Sequence, residues 1–155
     1  MILAFATQLH YYGRMQVDIL LRQLKEKGGK ETPVRRALIQ FLLGLSRPAC
    51  VAGILRQLQK KNLKPNKTTI YRELQFLIEQ GLIHELDFGG GRKCYEWVND
   101  HHHHLVCRKC HRIEEVKTDK LEKVLTSFEK KLESKSKFDD ITHNLEFYGV
   151  CSKCA

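Results

Sequence analysis

The first half of the chain repeats its apolar positions at helical spacing. "VDILLRQLKEKGG" carries such a run from Val17 and stops at Gly28-Gly29, a natural C-terminal cap. "ETPVRRALIQFLLGL" starts a second helix, with Thr32 as N-cap and Pro33 at the first helical position, where a missing N–H costs nothing. "VAGILRQLQKKNL" is a third amphipathic segment. A fourth begins near Asn66, lines up Ile70, Leu74, Leu77 and Ile78 on one face, and ends at Gly81. "LIHELDF" and "KCYEWV" then read as two strands joined by the glycine turn "GGGR".

The second half changes period. "HLVCRKC" and "RIEEVK" are short strands around a knuckle, and "THNLEFYGVC" is a third strand. Between them "DKLEKVLTSFEKKLESK" is an amphipathic helix with Leu121, Leu125, Phe128 and Leu132 along one side. So small an α/β unit has an exposed sheet edge and little core, so it calls for a staple and a partner. The fold class expected is α+β: a helical domain ending in a hairpin over residues 1–97 and a small α/β domain over 102–155.

Helices followed by a hairpin are the order of a winged helix, which lays the start of its last helix in the major groove of DNA. That start is "NKTTIYR". Asn66, Lys67, Thr68, Thr69, Tyr71 and Arg72 offer groups to phosphates, and Tyr71 and Arg72 are long enough to reach a base edge. The competing reading packs Tyr71 in the core and spends Thr68 or Thr69 on capping; Ile70 and Leu74 already supply the buried stripe. Arg92 and Lys93 on the wing suit backbone phosphates, or are ordinary solvated turn charges.

Charge sharpens this division. Residues 1–98 hold 16 Lys and Arg against 8 Asp and Glu, whereas residues 99–155 hold 11 against 10. The net charge of +9 therefore belongs to the first half, which suits a nucleic-acid reader or, equally, a basic face that is merely solvated. At 155 residues and 42% hydrophobic content the chain can build one domain or two small ones. The opening "MILAFATQL" is too short for a membrane span and lacks a signal peptide's basic flank and cleavage site. Met15 is an alternative start, with residues 1–14 an upstream extension. The expected location is the cytoplasm, without a membrane partner.

Of the six cysteines, four form two Cys-x-x-Cys pairs, Cys107/Cys110 and Cys151/Cys154, at the two ends of the second domain. Such pairs close a tetrahedral four-thiolate site suited to structural zinc. A redox dithiol would open a helix after a strand, and neither pair does. The run "HHHH" at 101–104 precedes the first pair. On a strand, side chains alternate faces, so His102 and His104 share one face, and Glu96 and Glu115 are oxygen donors near them. His101 and His103 share the other face and can seed a second site.

Together the stretches "TPVRRALIQFLL", "TTIYRELQFLIEQGLI", "HHHHLVCRKCHRIEEV" and "YGVCSKC" resemble the ferric uptake regulator family of metal-dependent transcriptional repressors. The last two, in this order and spacing, are the specific ones. The resemblance implies a homodimer that binds a double-stranded DNA operator, with a winged helix joined by a hinge at residues 98–101 to a dimerisation domain. It implies structural zinc on Cys107, Cys110, Cys151 and Cys154. It also implies a regulatory iron(II), zinc(II) or manganese(II) on Glu96, His102, His104 and Glu115. An additional site found in some members falls on His101, His103, Glu122 and His143. Tyr71 and Arg72 match the family's DNA-contacting pair, and Arg35 matches its basic residue in the earlier helix.

One departure concerns the metal. The family supplies a regulatory histidine from the turn before the third helix, which here reads "SRPACVAG" with Cys50 in that role. Either Cys50 is a thiolate ligand or the first domain contributes Glu96 or Cys94; the alternative for both cysteines is core packing. Sulfur favours zinc over iron(II). The peroxide-sensing branch is associated with aspartate where this chain has Glu115, so it ranks below the iron and zinc sensors. An enzyme of the zinc hydrolase or deaminase type needs an open metal position and a His-x-Glu with Pro-Cys-x-x-Cys, which the sequence lacks. A metal-storage protein would leave the basic half unexplained. The expected function is a metal-responsive repressor controlling metal homeostasis genes, not an enzyme.

Overall fold

A computed structural model describes residues 15–88, 91–98, 101–116 and 118–155. The proposed extension at 1–14, two glycines of the wing turn and part of the proposed hinge lie outside these residues. The chain divides into two compact units, Met1–Asn99 and Asp100–Ala155.

In the first unit, α1 occupies 15–26, α2 Pro33–Leu43, α3 Val51–Lys60 and α4 Lys67–Glu79. Local chemistry sets their ends. Thr32 accepts a hydrogen bond from the Arg35 amide (3.1 Å), with Pro33 opening α2, and Asn66 accepts one from the Thr69 amide (2.7 Å) at the start of α4. Three helices close through a left-handed residue: Gly28 (φ 82°), Asn62 (φ 58°) and Gly81 (φ 68°). At each, the following amide reaches back to a carbonyl five residues earlier, as Leu82 does to Leu77 (3.0 Å).

The helices bury one stripe each. Leu21 and Leu24 of α1, Leu38 and Leu42 of α2, Ile54 and Leu58 of α3, and Ile70, Leu74 and Leu77 of α4 form one core with Ile83 and Tyr95. Each such aliphatic side chain contributes roughly 1.5–3 kcal/mol by leaving water. The sheet has the order β1-β3-β2, with β1 Ala49–Cys50, β2 Ile83–Asp87 and β3 Lys93–Trp97, all antiparallel. The two-residue β1 was not expected. It is too short for any alternation to show, and it exists because Ala49 and Cys50 pair with Tyr95 and Cys94.

The second unit has β4 His103–Cys107, β5 Ile113–Val116, α5 Asp119–Lys135 and β6 Glu146–Gly149, in the sheet order β5-β4-β6. β5 runs antiparallel to β4, but β6 is parallel to it. Parallel pairing brings the C-terminal ends of β4 and β6 together, and each end leads into a Cys-x-x-Cys. No residue of α5 is buried; Val124, Phe128 and Leu132 are exposed, as are Leu105 and Tyr148 on the sheet. Among the described residues, no helix is long and apolar enough to cross a membrane.

Candidate metal centres and DNA-reading surface

The parallel pairing sets Cys107 opposite Gly149, two residues before Cys151. Both knuckles then turn back on themselves: His111 (φ 60°) donates its amide to Cys107 O at 2.8 Å, and Cys154 donates to Cys151 O at 2.8 Å. Cys107, Cys110, Cys151 and Cys154 consequently present their sulfurs within 4.8 Å of one another, and all four are unbridged thiols. Cys110 Sγ and Cys151 Sγ lie 3.7 Å apart. A tetrahedral zinc with Zn–S bonds of about 2.3 Å requires sulfur separations of about 3.8 Å, so the set fits structural zinc.

The backbone prepares the site for anionic sulfur. Cys107 Sγ accepts the amides of Cys110 (3.5 Å) and Cys151 (3.4 Å), and these two bonds, in that order, lower its pKa to about 6. Cys154 is raised to about 12, first by its hydrogen bond with Cys110 and then by that with Cys151, because neighbouring sulfurs resist a further negative charge.

A second cluster forms where β4 meets α5. The first turn of α5 carries Glu122, whose carboxylate bonds His103 Nε2 and lies 3.5 Å from His101 Nε2 and 3.7 Å from His143 Nε2. His101 and His143 approach at 3.1 Å through Nε2. His103 opens β4 and His101 lies two residues before it, and both face this side, with ring centroids 4.9 Å apart. The His103 bond, followed by the charges of His103, His101 and His143, holds the Glu122 carboxyl below the usual range despite the opposing effect of burial. Three imidazoles and one carboxylate form a donor set for a divalent ion such as zinc, iron or manganese.

Sequence reasoning missed Glu129. Its Oε1 accepts a hydrogen bond from His143 Nδ1 at 2.7 Å, leaving Nε2 to face the cluster. The signal was present, since Glu122 and Glu129 stand seven residues apart, two turns along one helix face.

The opposite face of β4 carries His104, with His102 just before the strand and ring centroids 4.8 Å apart. His104 is buried and pairs in register with Glu115 of β5. Glu96 lies on β3 of the first unit, half-buried.

Cys50 and Cys94, expected either as thiolate ligands of a regulatory ion or as core residues, are joined to each other by a disulfide, their Cα atoms 3.9 Å apart as register partners of β1 and β3. Direct cross-strand neighbours present their side chains side by side on one face of the sheet.

On the first unit, Lys67, Thr68, Tyr71 and Arg72 are exposed at the start of α4, while Thr69 is half-buried. Tyr71, 46% exposed, is not a core residue. With Arg72, Gln75 and Lys93 it lines a groove between α4 and the β2–β3 hairpin. Glu85 holds that wall by accepting from Lys93 Nζ (2.7 Å) and from Tyr95 Oη (3.0 Å). Arg92, also exposed, sits beside the wing turn.

Arg35 is corrected more strongly. Expected at the DNA, it is 8% exposed and bonds Glu73 of α4 (2.6 Å) and Lys30 O (2.7 Å), with its guanidinium 4.0 Å from the Phe76 ring centre. Gly29 makes room for it, since a Cβ there would lie 2.9 Å from Arg35 Nη1 and 2.7 Å from Leu24 O. An Arg held on three sides ties α2 to α4.

The model of the ferric uptake regulator family matches residues 26–148. The ferric uptake regulation protein of Bacillus subtilis (strain 168) is 31% identical over 144 residues, covering 90% of this chain and 94% of that one. The peroxide operon regulator of the same organism is 30% identical over 135 residues, covering 87% and 90%. The solved ferric uptake regulator of Helicobacter pylori superposes with a TM-score of 0.78 at 22% identity, covering 91% and 93%, a likeness of fold.

Proposed function

The chain belongs to the ferric uptake regulator family, and from that premise we propose that it is a homodimeric repressor whose grip on an operator depends on a regulatory divalent metal ion. As a family of metal-responsive transcriptional regulators, its members are generally not enzymes. The observation that carries the reading is the separation of donor types along one strand: imidazoles gather at the start of β4 and thiols at its end.

In this reading Cys107, Cys110, Cys151 and Cys154 hold a structural zinc whose role is folding, so it is retained whatever the signal. Glu96, His102, His104 and Glu115 hold the regulatory ion. When bound, the ion supplies positive charge shared among these ligands. His101, His103, Glu122 and His143 hold an additional ion. Lys67, Thr68, Thr69 and Arg92 grip phosphates, while Tyr71 and Arg72 read bases. The exposed apolar side of α5 supports a dimer, and two-fold symmetry sets two recognition helices about one DNA turn apart. A DNA target implies a cytoplasmic location.

Iron(II) is favoured by the ferric uptake relative, and all-imidazole and carboxylate donors suit iron, manganese or zinc alike. A peroxide-responsive regulator is the second reading, favoured by the similarity to the peroxide operon regulator. Elemental analysis of protein purified without added metal, followed by gel shifts with iron(II), zinc(II) and manganese(II), tests the proposal. Retained zinc with metal-dependent shifts supports it; metal-independent binding opposes it.

A further inference from the structure

Two of the six cysteines stand apart from every metal cluster above. Cys50 caps the N-terminus of α3 and is half-buried; Cys94 is the second residue of β3, the central strand of its sheet, and has no exposed surface. They face each other in register and are bonded. The other four cysteines all belong to the second unit.

We infer that Cys50 and Cys94 form a reversible dithiol–disulfide pair, a redox modification site in the first unit that operates independently of the four-thiol cluster. The exposure difference sets the order of events. Cys50 is the sulfur a small oxidant reaches, and Cys94, shielded by the sheet, is the one that resolves the product.

With a hydroperoxide as oxidant, Cys50 Sγ attacks the peroxide and the O–O bond breaks. The leaving oxygen takes up the Cys50 proton and departs as an alcohol, or as water from hydrogen peroxide, leaving a sulfenic acid. Cys94 Sγ then attacks the Cys50 sulfur, the S–O bond breaks, and the hydroxyl leaves as water with the Cys94 proton. Two electrons pass from the two sulfurs to the peroxide. Reversal begins at the same accessible atom, since a thiol reductant can attack Cys50 Sγ.

The bond closes a loop that contains α3, α4 and β2. It therefore restrains the unfolded chain around the helix bearing Tyr71 and Arg72. It also fastens β1, whose strand pairing consists of two residue pairs. Oxidation is thus expected to stiffen the first unit without touching the zinc-type thiols of the second. This goes beyond a metal-responsive reading and does not rest on it.

The test uses the full zinc-loaded chain, reduced with dithiothreitol, desalted, and exposed to equimolar hydrogen peroxide. The expected result is a cross-linked peptide containing Cys50 and Cys94, loss of two of the six thiols, and unchanged zinc content. Thermal unfolding of the first unit should rise by about 5–15 °C, and dithiothreitol should reverse every change. Cys50→Ser, at the more accessible position, should fold and show none of these responses; Cys94→Ala is the second variant. Oxidation that instead links the second-unit cysteines and expels zinc would overturn the inference. So would a Cys50→Ser protein whose affinity for added zinc(II) drops by about tenfold or more, because the thiols would then be metal donors.

Discussion

Glu129 fixes the ring of His143: its carboxylate accepts from Nδ1 at 2.7 Å, so Nε2 is the nitrogen presented to Glu122 and His101. An outer carboxylate of this kind fixes the tautomer and orientation of an imidazole. Glu129→Ala should therefore weaken divalent-ion binding at the histidine cluster by about 10–100-fold. Calorimetric titration of the zinc-loaded protein with manganese(II) measures it, and an unchanged affinity would reduce Glu129 to a surface contact.

Glu122 faces His101, His103 and His143, and its carboxyl is held low chiefly by the His103 bond. A depressed folded-state pKa stabilises the protein at pH values above the ordinary carboxylate range. That contribution is lost as pH falls through the lower folded value. The wild type should unfold at a higher temperature than Glu122→Gln at neutral pH. The gap should close as pH drops below about 4. A gap that stays constant down to pH 3 would contradict the assignment.

Arg35 should matter for folding before it matters for DNA. Arg35→Ala leaves Glu73 largely buried without its partner, a loss of about 3 kcal/mol or more in urea unfolding. A variant of wild-type stability with weakened DNA binding would return Arg35 to the phosphate backbone.

Most helices were legible because their ends are written in capping chemistry: Thr32-Pro33, Asn66, Gly28 and Gly81 all act where the sequence placed them. The four-cysteine cluster was legible too, since paired spacing survives any fold that brings two strand ends together. What the sequence hid depends on register. β1 has two residues and no period, so the facing of Cys50 and Cys94 could not be read. Arg35 was matched only to a basic residue of the family, and nothing in the sequence showed that Gly29, Glu73 and Phe76 would enclose it. The partition of four histidines followed from strand alternation alone, but which of them would meet Glu122 depended on where α5 begins.

Tyr71 and Lys67 should fail in different ways. Tyr71→Ala and Arg72→Ala are expected to cost roughly 1–3 kcal/mol on specific duplex and little on random duplex. Lys67→Ala should weaken both and make the salt dependence shallower, by about 1 in the log–log slope. Anisotropy titrations at several salt concentrations separate the two. Equal losses on both duplexes for all three variants would make α4 a phosphate clamp.

The histidines at the start of β4 are expected to couple metal to DNA while the thiols hold the fold. The direct measurement is operator affinity with and without added divalent metal for wild type and His102→Ala, on duplex selected from a random-sequence pool. Zinc content and oligomeric state are recorded for the same samples. The wild type should gain about 5–150-fold in affinity on metal addition, a coupling of typically 1–3 kcal/mol. His102→Ala should gain nothing while keeping its zinc and its dimer. A variant that retains the full metal effect would contradict the account and pass the sensing role to His101, His103, Glu122 and His143.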